Sequence, residues 1–509
     1  MGRLGMLSIV YRVGHDPEIL QRINEELTEI CHYEDWNPTH YVDASQITLA
    51  VAITVDWVGD ALPPETVKLA RASLIEKGLR PTLDPGAKGM GWIGFNMHQS
   101  RIGHAGVIAA ALVIADTDPE LAAQVIARAL EKLPNSLKEF SPNGTHVEGP
   151  NFWRFGTIFT VLISDMLNSS FGRDFGVAGY PGVIESGYFR QALLAPSGKV
   201  YGYGDSDEST SGETTALLAW FAAKTGDELL LDQAFLSHPT EAGRLSGYAL
   251  IWLSQFERKK QSEFPLAWFR AGTTPVAVFR SPPGDSGNLY LGFKGGSEQI
   301  TRVDMDAGSF VLELNGVRWS IDKPDIDTDR IKGGGSFAQD SPRWELLSKG
   351  NQGHSTIRAN HARFNVNGYA PIINFQAGDQ PEATVDLSAA MQGQLTSLQR
   401  RFVKESNQSV LIEDRVQLSE ATKSLTWQMM TVAGVTLTEH GAILRQDGQE
   451  LHLQIISPQG LQVSVISLDP PPLSSELALA NFKRLEIRIP AYTIKGQAGL
   501  LQVRLSGAK

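Results

Sequence analysis

The 509-residue sequence contains one cysteine, Cys31, which excludes an intrachain disulfide framework and any cysteine-built zinc cluster. It also lacks a long apolar run. The longest, Ala105 to Ala115, is far shorter than the roughly 20 residues that a membrane-spanning helix needs. Positive charge is scarce: Lys and Arg total 45 against 56 Asp and Glu, a net charge of −11, which argues against nonspecific nucleic-acid binding. An acidic substrate would therefore need a locally basic cleft. No fixed-length repeat is visible. The first residues, Met1-Gly-Arg-Leu-Gly-Met-Leu, join a basic residue to a short apolar stretch, but no small-residue cleavage site precedes Tyr11, Arg12 and His15. They read as a helix entered midway rather than a signal peptide. These features suit a soluble protein of the periplasm or cytoplasm, without membrane or nucleic-acid partners and with its oligomeric state open.

What is present is ordinary globular composition, 42% hydrophobic and 20% charged, in a chain too long for one core. The first half reads as successive helices. Ile19, Ile23, Leu27 and Ile30 keep helical spacing behind an Asp16-Pro17 start. Asp43 to Trp57 is apolar on most sides, and Pro63-Pro64 opens a helix ending near Gly78. Trp92 to Ala115 forms a long helical candidate, and Asp118-Pro119 opens another ending at Leu133, before Pro134. Further helices fit Phe155 to Leu167, Glu213 to Thr225, Asp227 to Phe235 and Gly247 to Glu257.

The pattern changes near Phe264-Pro265. Short alternating runs follow: Val276–Arg280, Leu289–Phe293, Thr356–Phe364, Ser397–Val403, Val410–Leu418, Leu425–Val432, Leu451–Ile456, Gln462–Leu468, Arg484–Ile489 and Leu500–Leu505. Gly, Asn and Asp turns separate them, the pattern of antiparallel β structure. Arg330 to Asp340, with three consecutive glycines, reads as a loop.

One stretch carries more than patterning. Arg302-Val-Asp304-Met-Asp306-Ala-Gly308-Ser309-Phe310 leads into Leu312, Leu314, an Asn315-Gly316 turn, then Val317, Arg318, Trp319, Ile321 and Asp322. It reads as two short strands, and period-2 alternation sets Arg302, Asp304 and Asp306 on one face, as on a solvated outer surface. The stretch resembles the signature of the heparinase II/III-like polysaccharide lyases, H-x-H-x-D-x-G-S-F followed by G-x-R-W-x-x-D. Asp306, Gly308, Ser309, Phe310, Gly316, Arg318, Trp319 and Asp322 all fit it. Arg302 and Asp304 stand where that pattern has its two histidines.

Other stretches extend the resemblance in the same order. Trp36-Asn37-Pro38 precedes an apolar helix ending at Asp56-Trp57. Asn96-Met-His98-Gln-Ser-Arg101 matches the region of an active-site Asn or His. Asn143-Gly-Thr-His146-Val-Glu148-Gly149-Pro150-Asn-Phe152-Trp153-Arg154 resembles D-G-x-x-x-E-G-P-x-Y-W-x. Gly202-Tyr203-Gly204-Asp205-Ser206 resembles a (F/Y)-G-D-S element, and Gly353-His354-Ser-Thr356 resembles G-H-N-T. The resemblance implies an N-terminal (α/α) toroid over residues 1–262, with further helices ahead of it in family members. A C-terminal antiparallel β-sandwich over residues 263–509 would follow, with the two halves meeting in one cleft. It also implies β-elimination on a uronate-containing polysaccharide or oligosaccharide, in the range of glycosaminoglycans and alginate.

Elimination needs donors that neutralise the uronate carboxylate, a base for the adjacent C–H and an acid for the leaving oxygen. By resemblance Asn96 is the neutraliser. The family's catalytic Tyr falls on Phe152, which has no proton to exchange, and its catalytic His on Arg302, which stays protonated at working pH. His98, His146, Tyr201 and Tyr203 are the candidates to replace them, and Arg302 suits an anion clamp. Arg101, Glu148, Phe152, Trp153 and Arg154 complete the expected substrate-binding set, with Trp92 and Trp153 as sugar platforms. The family's zinc positions fall on Asp304, Asp322 and His354, a donor set that can hold Zn²⁺ or another divalent ion. No organic cofactor is implied. Two other readings stand beside the lyase: a catalytically divergent relative that binds an acidic glycan, and a glycoside hydrolase using Glu148 and Asp205 as paired carboxylates.

Overall fold

The computed structural model describes residues 2–84, 86, 88–209, 212–232, 247–285, 287–298, 303–323, 335–494, 496 and 498–508. Two compact units result. One comprises Met1–Gly144, Trp153–Tyr188 and Ser211–Ser262; the other comprises Thr145–Phe152, Phe189–Thr210 and Glu263–Lys509. The last boundary between the units falls at Ser262–Glu263, and two short segments of the helical half, 145–152 and 189–210, group with the second unit.

The helices, in chain order, are α1 (Gly2–Gly14), α2 (Pro17–His32), α3 (Tyr41–Val58), α4 (Pro64–Ser73), α5 (His98–Ile114) and α6 (Pro119–Leu137). They continue with α7 (Pro150–Phe171), α8 (Glu185–Ala192), α9 (Gly212–Thr225) and α10 (Gly247–Ser254). Asp16 starts α2 by accepting from the Glu18 N–H at 2.8 Å, with Pro17 in the first turn. Helix α2 is amphipathic and buries Ile23, Leu27 and Cys31, whereas α3 and α5 are buried on nearly all sides.

Helix boundaries differ from expectation at several points, two of them with a clear cause. The long helix expected from Trp92 is broken: a 3₁₀ turn, Met90–Gly94, ends at extended Phe95, and α5 begins only at His98. Gly91 and Gly94 weaken the helical choice there. Helix α6 in turn runs through Pro134 to Leu137, its last turn held from outside by Arg101 on the Ser136 carbonyl at 2.8 Å. The helix expected over Asp227–Phe235 is a single 3₁₀ turn, Glu228–Leu230, and its remainder lies partly outside the described residues. No described helix is long and apolar enough to cross a membrane.

The second unit is antiparallel β. Strands β1 (Ala267–Arg270), β2 (Val276–Arg280), β3 (Tyr290–Lys294), β4 (Phe310–Leu314) and β5 (Val317–Ser320) form a five-stranded meander. Then follow β6 (Ile357–Ala359), β7 (Ile372–Gln376), β8 (Glu382–Asp386), β9 (Leu395–Ser406), β10 (Ser409–Leu418) and β11 (Ser424–Thr431). The last are β12 (Gly434–Thr438), β13 (Gly441–Gln446), β14 (Gln449–Ser457), β15 (Val463–Ser467), β16 (Lys483–Pro490) and β17 (Ala498–Gly507). One sheet has the order β12-β13-β14-β17-β10-β9-β8-β7, the other β15-β16-β11-β6. The strand expected over Thr356–Phe364 shrinks to β6 because Asn360 and His361 both turn to φ 55°.

The three sheets share one apolar core. Phe293 stacks on Phe402 at 4.1 Å, and Phe310 lies 6.0 Å from Phe402 and 6.2 Å from Trp427. Inside that core Arg400 holds Asp414 through two bonds, 2.7 and 2.9 Å, with neither side chain exposed. Asp414→Ala would leave a buried guanidinium without its counter-ion, an expected loss of about 3–5 kcal/mol. Urea unfolding followed by tryptophan fluorescence checks it; a loss under about 1 kcal/mol would mean the pair is not isolated from water.

Candidate functional site

The β4–β5 hairpin is set by Asn315 and Gly316, at φ 55° and 77°, the left-handed pair that a two-residue hairpin turn requires. Of the first expected strand only Phe310–Leu314 forms. Residues 303–309 are turn, and both sides of the chain are buried: Val303, Met305 and Ala307 as well as Asp304 and Asp306. A solvated outer face, one of the two readings that the alternation left open, therefore does not hold for Asp304 and Asp306, and the reason is paired charge.

Lys349, wholly buried, places its ammonium between Asp205 and Asp304, the latter at 2.8 Å. Lys294, at the end of β3, pairs with Asp306. Backbone bonds fix the same turn: Met305 N–H donates to the Lys349 carbonyl at 2.8 Å and Gly308 N–H to the Lys294 carbonyl at 2.9 Å. Gly308 sits at φ 71°, where a Cβ would meet Leu387 at 2.8 Å.

Asp322 and His354 meet as expected, with Asp322 Oδ1 2.9 Å from His354 Nδ1. Asp304, however, is not their third partner, being taken by Lys349. Asp306 fills that place: donor atoms of Asp306, Asp322 and His354 all lie within 4.8 Å of one another. His354 Nε2 and Asp306 Oδ2 are buried without a hydrogen-bond partner, so the site offers an imidazole nitrogen and carboxylate oxygens suited to a divalent ion. Lys294 occupies the other Asp306 oxygen, and its ammonium competes with such an ion for charge.

The electrostatics are those of a dry, crowded site. Burial raises Asp304 to about 6, with Lys349 and His354 opposing and Asp306 and Asp205 adding to the rise. Burial would lower His354, but the charges of Asp322, Asp306 and Asp304 outweigh it and raise the imidazole to about 9. Burial also pushes the Glu298 carboxyl well above its ordinary value, against the pull of Lys294. Such shifts gather both at functional sites and in buried ion-pair networks.

Segments 145–152 and 189–210 join the sheets through specific contacts. Arg318, from the G-x-R-W stretch, bonds Glu313 at 2.7 Å, Glu208 at 2.9 Å and the Val200 carbonyl at 3.2 Å. Ser197 adds a bond to Glu313 at 2.6 Å. Tyr203 donates to the His146 carbonyl at 2.7 Å and lies 5.5 Å under the Lys294 ammonium. Gly149 packs on the Tyr203 carbonyl at φ 87°, leaving no room for a Cβ. Tyr203 is wholly buried and, through burial and then Asp306, holds its proton well above its ordinary pKa. Tyr201 is likewise buried and raised, by burial first and then by Asp306 and Asp322. His146 and Glu148 are buried in the same unit, and Phe152 is partly buried at the start of α7.

The remaining expected residues lie in the helical unit. Asn96 is exposed in the break before α5, and His98 is buried in its first turn, 5.8 Å from Phe155. Arg101 is wholly buried, bonded to Glu139 at 2.6 Å and to the Ser136 carbonyl, so its guanidinium serves the helix packing. Trp153 is buried and stacked 6.0 Å from Phe221, and Trp92 stacks 4.1 Å from Tyr41, so neither presents a sugar platform. Arg154 is partly buried. Arg302, like residues 330–334 of the expected loop, lies outside the described residues. Lys349 and Lys294 were missed from the sequence, and an unmatched lysine in a loop or at a strand end carries no signal. Asp306 carried one, since it fits the D-x-G-S-F stretch.

No protein-family model matches the sequence, and the search of curated proteins finds no match. Solved structures do match. Heparan sulfate lyase HepC from Pedobacter heparinus superposes with a TM-score of 0.65 at 13% identity, over 99% of this chain and 75% of that one. Two heparinase III structures give 0.64 at 11% identity and 0.62 at 10%, over 99% of this chain and 77% and 75% of theirs. The fold is that of heparinase III. At this identity the likeness is one of fold, with helices first and antiparallel sheets after them.

The His354 shift makes a signed prediction for protein freed of metal by chelation. A folded-state pKa above the unfolded value of about 6.5 stabilises the fold fully below pH 6.5. That stability is lost as pH rises through about 9. Unfolding free energy should fall by on the order of 3 kcal/mol across that window, and His354→Gln should flatten the fall. The Asp304 contribution has the same sign but fades earlier, between about pH 4 and 6, so it does not confuse the reading. An unchanged slope in the variant would contradict the assignment.

Proposed function

We propose that the protein is a polysaccharide lyase of the heparinase II/III type, cleaving a uronate-containing acidic polysaccharide or oligosaccharide by β-elimination with proton-transfer residues unlike the usual Tyr and His. The observation carrying this reading is the heparinase III fold over 99% of the chain. The buried, pKa-shifted cluster built from the D-x-G-S-F and G-x-R-W-x-x-D stretches adds support. On this reading the helical unit is an (α/α) toroid and the sheets a β-sandwich. Asn96 neutralises the uronate carboxylate, His98 and His146 are the imidazoles available for proton transfer, and Arg302 clamps the substrate anion. Glu148 and Arg154 complete the substrate-binding set. Asp306, Asp322 and His354 would hold a divalent ion, which would polarise nearby oxygens.

A second reading has its own support. With Phe152 at the Tyr position and the Tyr203 hydroxyl given to a backbone carbonyl, a protein that binds acidic glycans without cleaving them fits the same residues.

The test is incubation with heparan sulfate, heparin, hyaluronan and alginate while following ultraviolet absorbance of the unsaturated uronate product. The lyase reading expects new absorbance on at least one of them, lowered by Asn96→Ala. Saturable binding without absorbance supports the second reading, and neither absorbance nor binding on any member contradicts both. Arg302→Ala should weaken binding about tenfold or more, the worth of a charge-assisted contact, and raised salt should weaken the wild type.

A further inference from the structure

The C-terminal ends of the apolar helices in the helical unit surround a cavity of about 390 Å³. Helix α3 gives it Ile53, Asp56 and Trp57; α5 gives Leu112; α7 gives Leu162 and Asp165; α9 gives Lys224; and α10 gives Tyr248 and Trp252. The size is that of a small-molecule site. Asn96 and His98 stand at the opposite end of α5. Fourteen residues at about 1.5 Å each separate His98 from Leu112, roughly 21 Å, so this cavity is distinct from the expected lyase residues.

Its walls are pre-set. Asp165 accepts the indole N–H of Trp220 at 3.0 Å and of Trp252 at 2.7 Å, and Lys224 sits 3.2 Å away. That carboxylate is satisfied, and it locks two aromatic rings in place. Tyr248 stacks on Trp252 at 5.7 Å and meets Trp57 edge-on at 6.1 Å. Buried Leu162 and Trp252 make the floor, and the exposed Asp56, Ile251 and Gln255 stand at the mouth.

Asp56 is the group left over. Among the described residues it has no hydrogen-bond or ion-pair partner. Arg12 acts on it by charge, but its guanidinium donates to the Trp57 carbonyl at 3.1 Å. Partial burial pushes the Asp56 carboxyl above its usual value, Arg12 opposing. The carbonyl ends of α3, α5 and α7 add negative potential at the same place, and aromatic faces attract cations. Asp56, Asp165 and Lys224 leave one net negative charge on the lining.

We propose that this cavity binds a small organic ammonium ligand, an amine whose apolar or ring-shaped body lies among Trp57, Tyr248 and Leu162 while its charge rests against Asp56. The three features point to the same sign of charge, and the apolar floor excludes a bare metal ion. The site is independent of the lyase reading.

The test uses the full chain, with phenethylammonium as probe and 2-phenylethanol as its neutral counterpart, followed by calorimetry and by fluorescence of the lining tryptophans. The ammonium should bind saturably and about tenfold or more tighter than the alcohol, which corresponds to about 1.4 kcal/mol. Asp56→Asn, at an exposed position, should leave the thermal midpoint unchanged and remove that preference. Leu162→Trp, which fills the floor, should abolish binding of both probes. Equal binding of ammonium and alcohol, an unaffected preference in Asp56→Asn, or no saturable binding at millimolar probe would each overturn the proposal.

Discussion

The Lys349 ammonium, sealed from solvent between Asp205 and Asp304, is the interaction on which the sheet-rich unit turns. An unpaired ammonium in that environment would cost several kcal/mol, so its presence dictates where two distant stretches of chain must lie. Asp205 brings segment 189–210 to the sheets, and Asp304 fixes the turn before β4. From that turn Asp306 reaches Lys294, and across from it stand Asp322 and His354. Buried ion pairs contribute little net stability compared with apolar packing. What this one contributes is placement: each charge excludes arrangements that leave its partner alone.

The same interaction explains a departure from the lyase signature. A carboxylate at position 304, where the resemblance implies an imidazole, needs a counter-charge when buried, and Lys349 supplies it. The third donor beside Asp322 and His354 then comes from Asp306, two residues on, whose Oδ2 has no hydrogen-bond partner. The cluster has four carboxylates against two ammonium groups and one imidazole. That excess of negative charge holds His354 protonated up to about pH 9 and leaves room for an added cation. The fold is that of heparinase III.

How much of this was legible follows from what each signal measures. The helical and sheet halves were readable because periods of 3.6 and 2 report which face is buried. Turn chemistry placed Asn315-Gly316 and the Asp16-Pro17 helix start correctly. Alternation failed at Asp304 and Asp306, because it assumes that charge means solvent, and two lysines distant in sequence cancelled that assumption. It also missed the four-residue β1, and β7, β8, β12 and β13, which carry many polar positions. The helix ends at His98 and Leu137 depend on tertiary contacts, as with Arg101 on the last turn of α6, and no local pattern records those. The pairing of Asp322 with His354 was legible only through the resemblance, since thirty-two residues separate them.

The central claim, that Lys349 and Asp304 act as one buried unit, is tested most directly by a double-mutant cycle. Unfolding free energies of Lys349→Met, Asp304→Asn and the double variant would be compared with the wild type. The account predicts that the double variant is less damaged than the sum of the single losses, by a coupling of about 1–3 kcal/mol. Losses that add to within about 0.5 kcal/mol would contradict it.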